Sequence, residues 1–219
     1  MTPDRLILLR HGRTAWNEQR RFQGQADPPL DETGRAQADE IASFIVELAP
    51  QVLVSSDAIR AMETAERISD RTGLQVRSDA RFRERSLGHW EGLTRDEVQR
   101  RYPDEFADWI AGRDIASRGG ETREEVAERG VAALAEIPQV TTAVVVTHSA
   151  TAMAISCALL GLSQKVHVLS PLANCHWTEL VHDHDLWRLR AHNVGAPGAV
   201  LPIPTGSVAD SEEAPDAEA

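Results

Sequence analysis

Four short stretches of this chain carry side chains suited to chemistry on an anion. In the first, Arg10-His11-Gly12 ends the apolar run Leu6-Ile7-Leu8-Leu9. Such a run reads as a buried parallel strand, and α/β sheets place their chemistry at the carboxyl ends of strands. Imidazole can act as a nucleophile, and a neighbouring guanidinium favours its neutral, attacking form because like charges repel. The substrate would then be an anion, and phosphate suits guanidinium, which can grip it through two parallel hydrogen bonds. The second stretch, Val144-Val145-Val146-Thr147-His148, repeats the pattern. Either histidine alone reads as a packed structural residue; two at equivalent strand ends, on neighbouring parallel strands, point to a site.

In the third stretch, Val54-Ser55-Ser56-Asp57-Ala58-Ile59-Arg60, a strand ends in a serine pair and Arg60 falls in the first turn of a helix, aimed back at the same edge. Taken alone, Arg60 would be a surface ion pair. The fourth is Arg83-Glu84-Arg85, followed by the glycine-bounded Gly88-His89-Trp90-Glu91-Gly92. A glutamate there could donate a proton to a leaving alkoxide, although the loop by itself does not choose between Glu84 and Glu91.

These residues need elements to hold them, and the pattern supplies an alternation of strands and helices. Arg10 to about Glu32 is a long polar loop, and long loops in compact domains tend to be functional. Thr33 opens a helix on which Ala36, Ile41, Phe44, Ile45 and Leu48 recur at helical spacing, before Pro50 and a strand from Val52 to Ser55. A helix from Ala58 to about Arg71 is closed by Gly73, Val76 begins a third extended segment, and Arg81 to Gly92 reads as irregular. Thr94-Arg95-Asp96-Glu97 and Thr122-Arg123-Glu124-Glu125 fit the capping box and mark two helix starts. Tyr102 to Ala111 is a short helix, Arg118-Gly119-Gly120 a turn, and the helix after it ends near Pro138. Ala143 to Thr147 is the best strand of the chain, followed by a helix from Ala150 to Leu160. Cys175 to Val181 and Leu186 to Arg190 form a closing pair of strands. The whole predicts a three-layer α/β/α sandwich around a mostly parallel sheet. Residues 1–193 are read as one domain and the acidic, Pro- and Gly-containing residues 194–219 as a disordered tail.

Composition narrows the partners. A net charge of -11 lacks the basic stripe of a nucleic-acid footprint, and no apolar stretch reaches the length of a membrane span. Met1-Thr2-Pro3-Asp4 lacks a signal-peptide pattern, so a cytoplasmic protein is expected. Cys157 and Cys175 sit in apolar surroundings and read as reduced core thiols. In His182-Asp183-His184-Asp185, alternation across a tight turn would splay the side chains, which favours a solvated turn over a metal site. Trp16 and Trp90 lie in site loops and are candidates to flank the leaving group.

Taken together, the motifs resemble the histidine phosphatase superfamily, in the branch of phosphoglycerate mutases and their phosphatase relatives. The likeness rests on Arg10-His11-Gly12 with Thr14 and Asn17, Gln23-Gly24, Pro29-Leu30 and Gly34-Gln37-Ala38. It continues through Ser55-Ser56 to Arg60 and Thr64-Ala65, Glu84 with Gly88 and Glu91-Gly92, Gly120-Glu121, and Thr147-His148, all in family order over roughly the first 150 residues. The resemblance implies that His11 becomes phosphohistidine, that Arg10, Arg60 and His148 hold the phosphoryl oxygens, and that Glu84 protonates the leaving oxygen and then activates water. Asn17, Gln23 and Gly24 would bind phosphate or substrate, and no metal or other cofactor is called for.

Two departures refine the expectation. Ser149-Ala150 follow His148 where relatives often carry glycines, so Ser149 is either a substrate-binding hydroxyl or a cap for the next helix. The segment Arg85 to Tyr102 lacks the longer basic stretch of the mutases, which favours hydrolysis over mutase activity. The expected function is a phosphomonoesterase for a small phosphorylated metabolite, a sugar phosphate or glucosyl-3-phosphoglycerate among the candidates. Phosphoglycerate mutase and a non-catalytic binding protein are the alternatives, and a homodimer is compatible with the sequence.

Overall fold

The computed structural model describes residues 2–165 and 168–196. One six-stranded sheet runs through it in the order β3-β2-β4-β1-β5-β6. Its strands are β1 (Arg5–Arg10), β2 (Val52–Ser55), β3 (Val76–Ser78), β4 (Thr142–Thr147), β5 (Trp177–Asp183) and β6 (Leu186–Val194). The first four are mutually parallel, while β5 and β6 run antiparallel at one edge.

Alternation along β1 explains the layering. Ile7 and Leu9 face one way with Val144 and Val146, against Ile41 and Ile45 of α2 (Glu32–Glu47) and Ala61, Ala65 and Ile68 of α3 (Ile59–Thr72). Leu6 and Leu8 face the other way with Val145, and meet two further helices on that face. Because strand side chains alternate faces, a strand that is apolar throughout requires helices on both sides. The expected sandwich is the structure observed.

Several local expectations shift. The polar loop after β1 contains a one-turn helix, α1 (Ala15–Glu18), held by a third capping box in which the Thr14 hydroxyl and the Asn17 side chain satisfy each other's backbone amides. Four residues are too few to show a helical period. α4 (Arg95–Arg101) and α6 (Arg123–Leu134) begin at the two capping boxes read from the sequence. α6 stops at Leu134, short of Pro138, because Ala135 to Ile137 wind on in tight turns. Opposite it, α7 (Ser149–Leu159) takes His148 as its N-cap position. β5 begins at Trp177 and not at Cys175, whose φ of +55° breaks the strand, and β6 runs past Arg190 to Val194. His184 and Asp185 both have left-handed φ and make the tight β5–β6 turn, with His184 paired to Asp183. Cys157 and Cys175 are free and buried. Of residues 194–219, read as a disordered tail, Val194 instead closes β6, and residues 197–219 lie outside the described residues.

A smaller apolar cluster seats the segment after Glu84. Trp90, Trp109, Val98, Ile115, Leu87 and Phe22 pack together, drawing α4 and α5 (Pro103–Ile110) over the loop that follows α1. Trp90 is therefore fully buried in this cluster and does not flank a leaving group. Its indole N–H donates to Glu105.

The loop carrying His11 is pressed against the first turn of α2. A Cβ on Gly34 would overlap the Arg13 carbonyl oxygen, and one on Gly12 the Gly34 carbonyl oxygen. Gly34→Ala should cost about 1–3 kcal/mol, because only backbone could move to admit the methyl group. Urea unfolding should show a lower midpoint at unchanged slope; an unchanged midpoint would mean that this contact is loose.

Candidate active site

Register places the two histidines side by side. Arg10 pairs with Thr147 across β1 and β4, so His11 and His148 each follow the last paired residue of adjacent parallel strands. The His11 amide donates to the Thr147 carbonyl and carries the pairing one step further. The ring centroids lie 5.0 Å apart, edge to face. On the other side of β4, β2 ends at Ser55 with Ser56 just after it, and Arg60 enters from the first turn of α3.

His11 Nδ1 lies 2.7 Å from the Gly12 carbonyl oxygen. A carbonyl only accepts, so Nδ1 carries the ring proton and Nε2 holds the lone pair. Arg60 Nε lies 3.3 Å from that Nε2. Burial is the largest cause holding the His11 pKa well below the ordinary histidine value, with Arg60 and then Arg10 adding to it. The neutral imidazole expected from like-charge repulsion is thus chiefly a product of desolvation.

Both arginines are bound by backbone carbonyls. Arg60 donates to Ala26 at 2.6 Å and Gly24 at 3.0 Å, and Arg10 to Leu172 at 2.7 Å. Carbonyl oxygens orient a guanidinium without cancelling its charge. Asp27 forms an ion pair with Arg60 at 3.8 Å. Burial lowers the Arg60 pKa to about 10, opposed by Glu84 and Asp27, so the group stays cationic at neutral pH.

A cleft open to solvent lies above these residues. Arg10, His11, Arg60, Glu84, Asn17, Gln23 and Gly24 all line it. His148 lies behind them, fully buried, its Nε2 3.0 Å from the Ser56 hydroxyl. Burial, followed by Arg60, His11 and Arg10, keeps His148 well below the ordinary histidine pKa. Glu84 Oε1 accepts from the amides of Arg85 and Thr151 and from the Thr151 hydroxyl, and Oε2 accepts from the Ala150 amide. Its carboxyl is thereby fixed at the amino end of α7, facing the cleft.

Glu91, equal to Glu84 in the sequence, does something else. Its Oε1 accepts from the amides of Gln25 and Leu87, tying the loop after α1 to the loop after Glu84. Ser149 neither lines the cleft nor caps α7; it is the first residue of that helix, and its hydroxyl accepts from the Leu172 amide. That bond anchors the segment whose carbonyl holds Arg10. Ala150 lines the cleft in its place.

The cleft also includes residues that the sequence did not single out. Arg85, Leu87 and Phe22 contribute to its wall. Asn174 donates to the His11 carbonyl at 3.1 Å and reaches Asn17 at 3.3 Å. Arg85 adjoins Glu84 and could have been suspected on that ground. Asn174 lies in irregular backbone before β5, with no motif to mark it.

A family model for the histidine phosphatase superfamily (branch 1) matches residues 6–195. The glucosyl-3-phosphoglycerate phosphatase of Mycobacterium tuberculosis (strain CDC 1551 / Oshkosh) is 38% identical over 192 residues, covering 82% of this chain and 86% of that protein. The phosphoserine phosphatase 1 of Hydrogenobacter thermophilus is 35% identical over 162 residues, 72% of this chain and 77% of that protein. A solved mycobacterial glucosyl-3-phosphoglycerate phosphatase in complex with VO3 matches with a TM-score of 0.79 at 38% identity, over 88% of this chain and 100% of that chain.

The buried histidines set a pH dependence of stability. Above pH 6.5, the ordinary histidine value, His11 and His148 are neutral whether the chain is folded or unfolded, and contribute nothing. Below it, the unfolded chain takes up a proton at each that the folded chain refuses, so stability falls with pH by up to ~1.4 kcal/mol per unit for each residue. His176 and His192 are lowered as well and add in the same direction. Urea midpoints should therefore drop between pH 7.5 and 5.5, and His148→Gln should reduce the slope. A flat wild-type profile would mean that these rings are protonated in the folded protein.

Proposed function

Because the chain belongs to the histidine phosphatase superfamily, we propose that it hydrolyses a small phosphate monoester through a phosphohistidine on His11, with glucosyl-3-phosphoglycerate as the leading substrate. The observation that carries this is the geometry of His11: Nδ1 at the Gly12 carbonyl, Nε2 beside Arg60, in a cleft lined by two buried guanidiniums.

The steps follow from the geometry. His11 Nε2 attacks phosphorus and forms a P–N bond as the P–O bond to the leaving group breaks. Arg10 and Arg60, with His148, hold the phosphoryl oxygens and offset the charge that develops on them. Glu84 is the group placed to pass a proton to the departing oxygen and then to remove one from the water that cleaves the P–N bond, returning free phosphate and the His11 lone pair. The guanidiniums supply the positive charge that a metal ion supplies in other phosphoryl-transfer sites.

Support for the substrate comes from the mycobacterial relatives and from the wall of the cleft. Asn17 Oδ1 accepts from the Thr14 amide and Gln23 Oε1 from the Thr14 hydroxyl, which leaves their amide nitrogens for a hydroxylated, carboxylate-bearing leaving group. The catalytic domain is read as residues 1–193. Among the described residues no helix is long and apolar enough to cross a membrane. The two free cysteines support a reducing compartment, and we take the cytoplasm as the location.

Acid-quenched enzyme incubated with labelled substrate should retain phosphate on histidine, and His11→Ala should lose it together with at least about 10³-fold in kcat. Normal turnover by that variant would defeat the reading. Glu84→Gln should lower kcat by about 10²–10⁴-fold on alkyl phosphates, and much less on p-nitrophenyl phosphate, whose leaving group needs no proton. An equal loss on both would remove Glu84 from the role of acid. In a panel of phosphate esters run with chelator, glucosyl-3-phosphoglycerate should give the highest kcat/KM; faster interconversion of the two phosphoglycerates would favour a mutase.

A further inference from the structure

Ser56 is fully buried at the end of β2, between β4 and α3. Among the described residues its hydroxyl oxygen meets two groups: the Ala58 amide, which donates to it at 3.3 Å, and His148 Nε2 at 3.0 Å. His148 Nδ1 is buried and finds no hydrogen-bond partner among the described residues.

Counting protons decides between the two tautomers of His148. If Nε2 carried the hydrogen, the Ser56 oxygen would accept two bonds, its own O–H would point at nothing, and Nδ1 would be a bare buried acceptor. Two buried groups would be left unsatisfied. If the Ser56 hydroxyl donates to Nε2, its donor and one lone pair are both used, and the single remaining group is an N–H on Nδ1. An unsatisfied buried polar group costs about 1–3 kcal/mol, so the second arrangement is favoured. It also leaves the right kind of group, since a donor in the field of Arg10 and Arg60 complements an anion, whereas a bare lone pair would repel one.

We propose that Ser56 is a positioning residue that fixes the tautomer of His148, donating to Nε2 so that the N–H of Nδ1 is presented to the phosphoryl oxygens. The Ser56–His148 contact is observed, and the phosphoryl group that Nδ1 would meet comes from the phosphatase reading. A hydroxyl at this position would then act on phosphate affinity and on the transition state without touching the substrate.

The test uses the full chain and inorganic phosphate as the probe. ¹⁵N spectra of histidine-labelled protein, with His148 assigned from the signals lost in His148→Gln, should show the proton on Nδ1 in the wild type and a move to Nε2 in Ser56→Ala. Ser56→Ala should weaken phosphate binding by about 10–100-fold, the worth of one charge-assisted hydrogen bond, and lower kcat/KM similarly, while Ser56→Thr, which keeps the hydroxyl, stays within about threefold. A wild-type His148 protonated on Nε2, or phosphate affinity unchanged in a folded Ser56→Ala, would overturn the proposal. If Ser56→Ala does not fold, the wild-type spectrum and the threonine variant still decide it. A chain that traps no phosphohistidine would defeat the phosphatase reading, while the tautomer and phosphate-binding arms would still judge Ser56.

Discussion

The hydrogen bond from His11 Nδ1 to the carbonyl of its own neighbour, Gly12, governs the rest of the site. It consumes the one ring proton and leaves a lone pair on Nε2. For that lone pair to persist, the ring must stay neutral, and burial between two cations accomplishes this. The β1–β4 pairing and the glycine contacts hold the loop that carries this ring.

Burying Arg10 and Arg60 is costly, and the chain meets that cost with backbone. Carbonyl oxygens of Leu172, Gly24 and Ala26 satisfy guanidinium N–H groups, and Asp27 stands at 3.8 Å from Arg60 as a half-exposed ion-pair partner. The same bonds also hold the loop of Gly24 and the segment of Leu172 in place, so cation placement and cleft shape are one feature. Glu84 follows a similar logic from the other side. Its carboxyl is oriented by the free amides at the start of α7, where a helix end offers donors that have no partner within the helix. Glu91 and Glu121 are spent instead on tying loops together, the latter through Arg129 and the Ser86 amide.

Much of the fold was legible because its signals are local. Apolar runs of strand length marked β1 and β4, and threonine with glutamate three residues on marked α4 and α6. The irregular pieces were not legible: α1 is too short to show a period, and the placement of Trp90 depends on residues from Phe22 to Ile115 meeting in one cluster. Of the residues singled out for the site, the structure brings seven to the cleft and sets His148 behind them. It assigns Ser149 to a backbone anchor, because the strand-to-helix turn puts Ala150 on the open side.

By itself, the sequence determined which residues could do the chemistry: a histidine and an arginine at one strand end, a histidine at another, an arginine in a first helical turn, and a loop glutamate that the loop alone leaves between Glu84 and Glu91 and the family resemblance assigns to Glu84. Side-chain type and strand or helix period carry that information, and both are local. Only the tertiary structure decided that β1 and β4 pair in a register that sets the two rings 5.0 Å apart. It gave the physical reason for Glu84 over Glu91, the one held at the amino end of α7 and the other tying two loops, and it alone joined Ser56 to His148. These are contacts between residues tens of positions apart, made by register and packing, and no short stretch of sequence contains both partners.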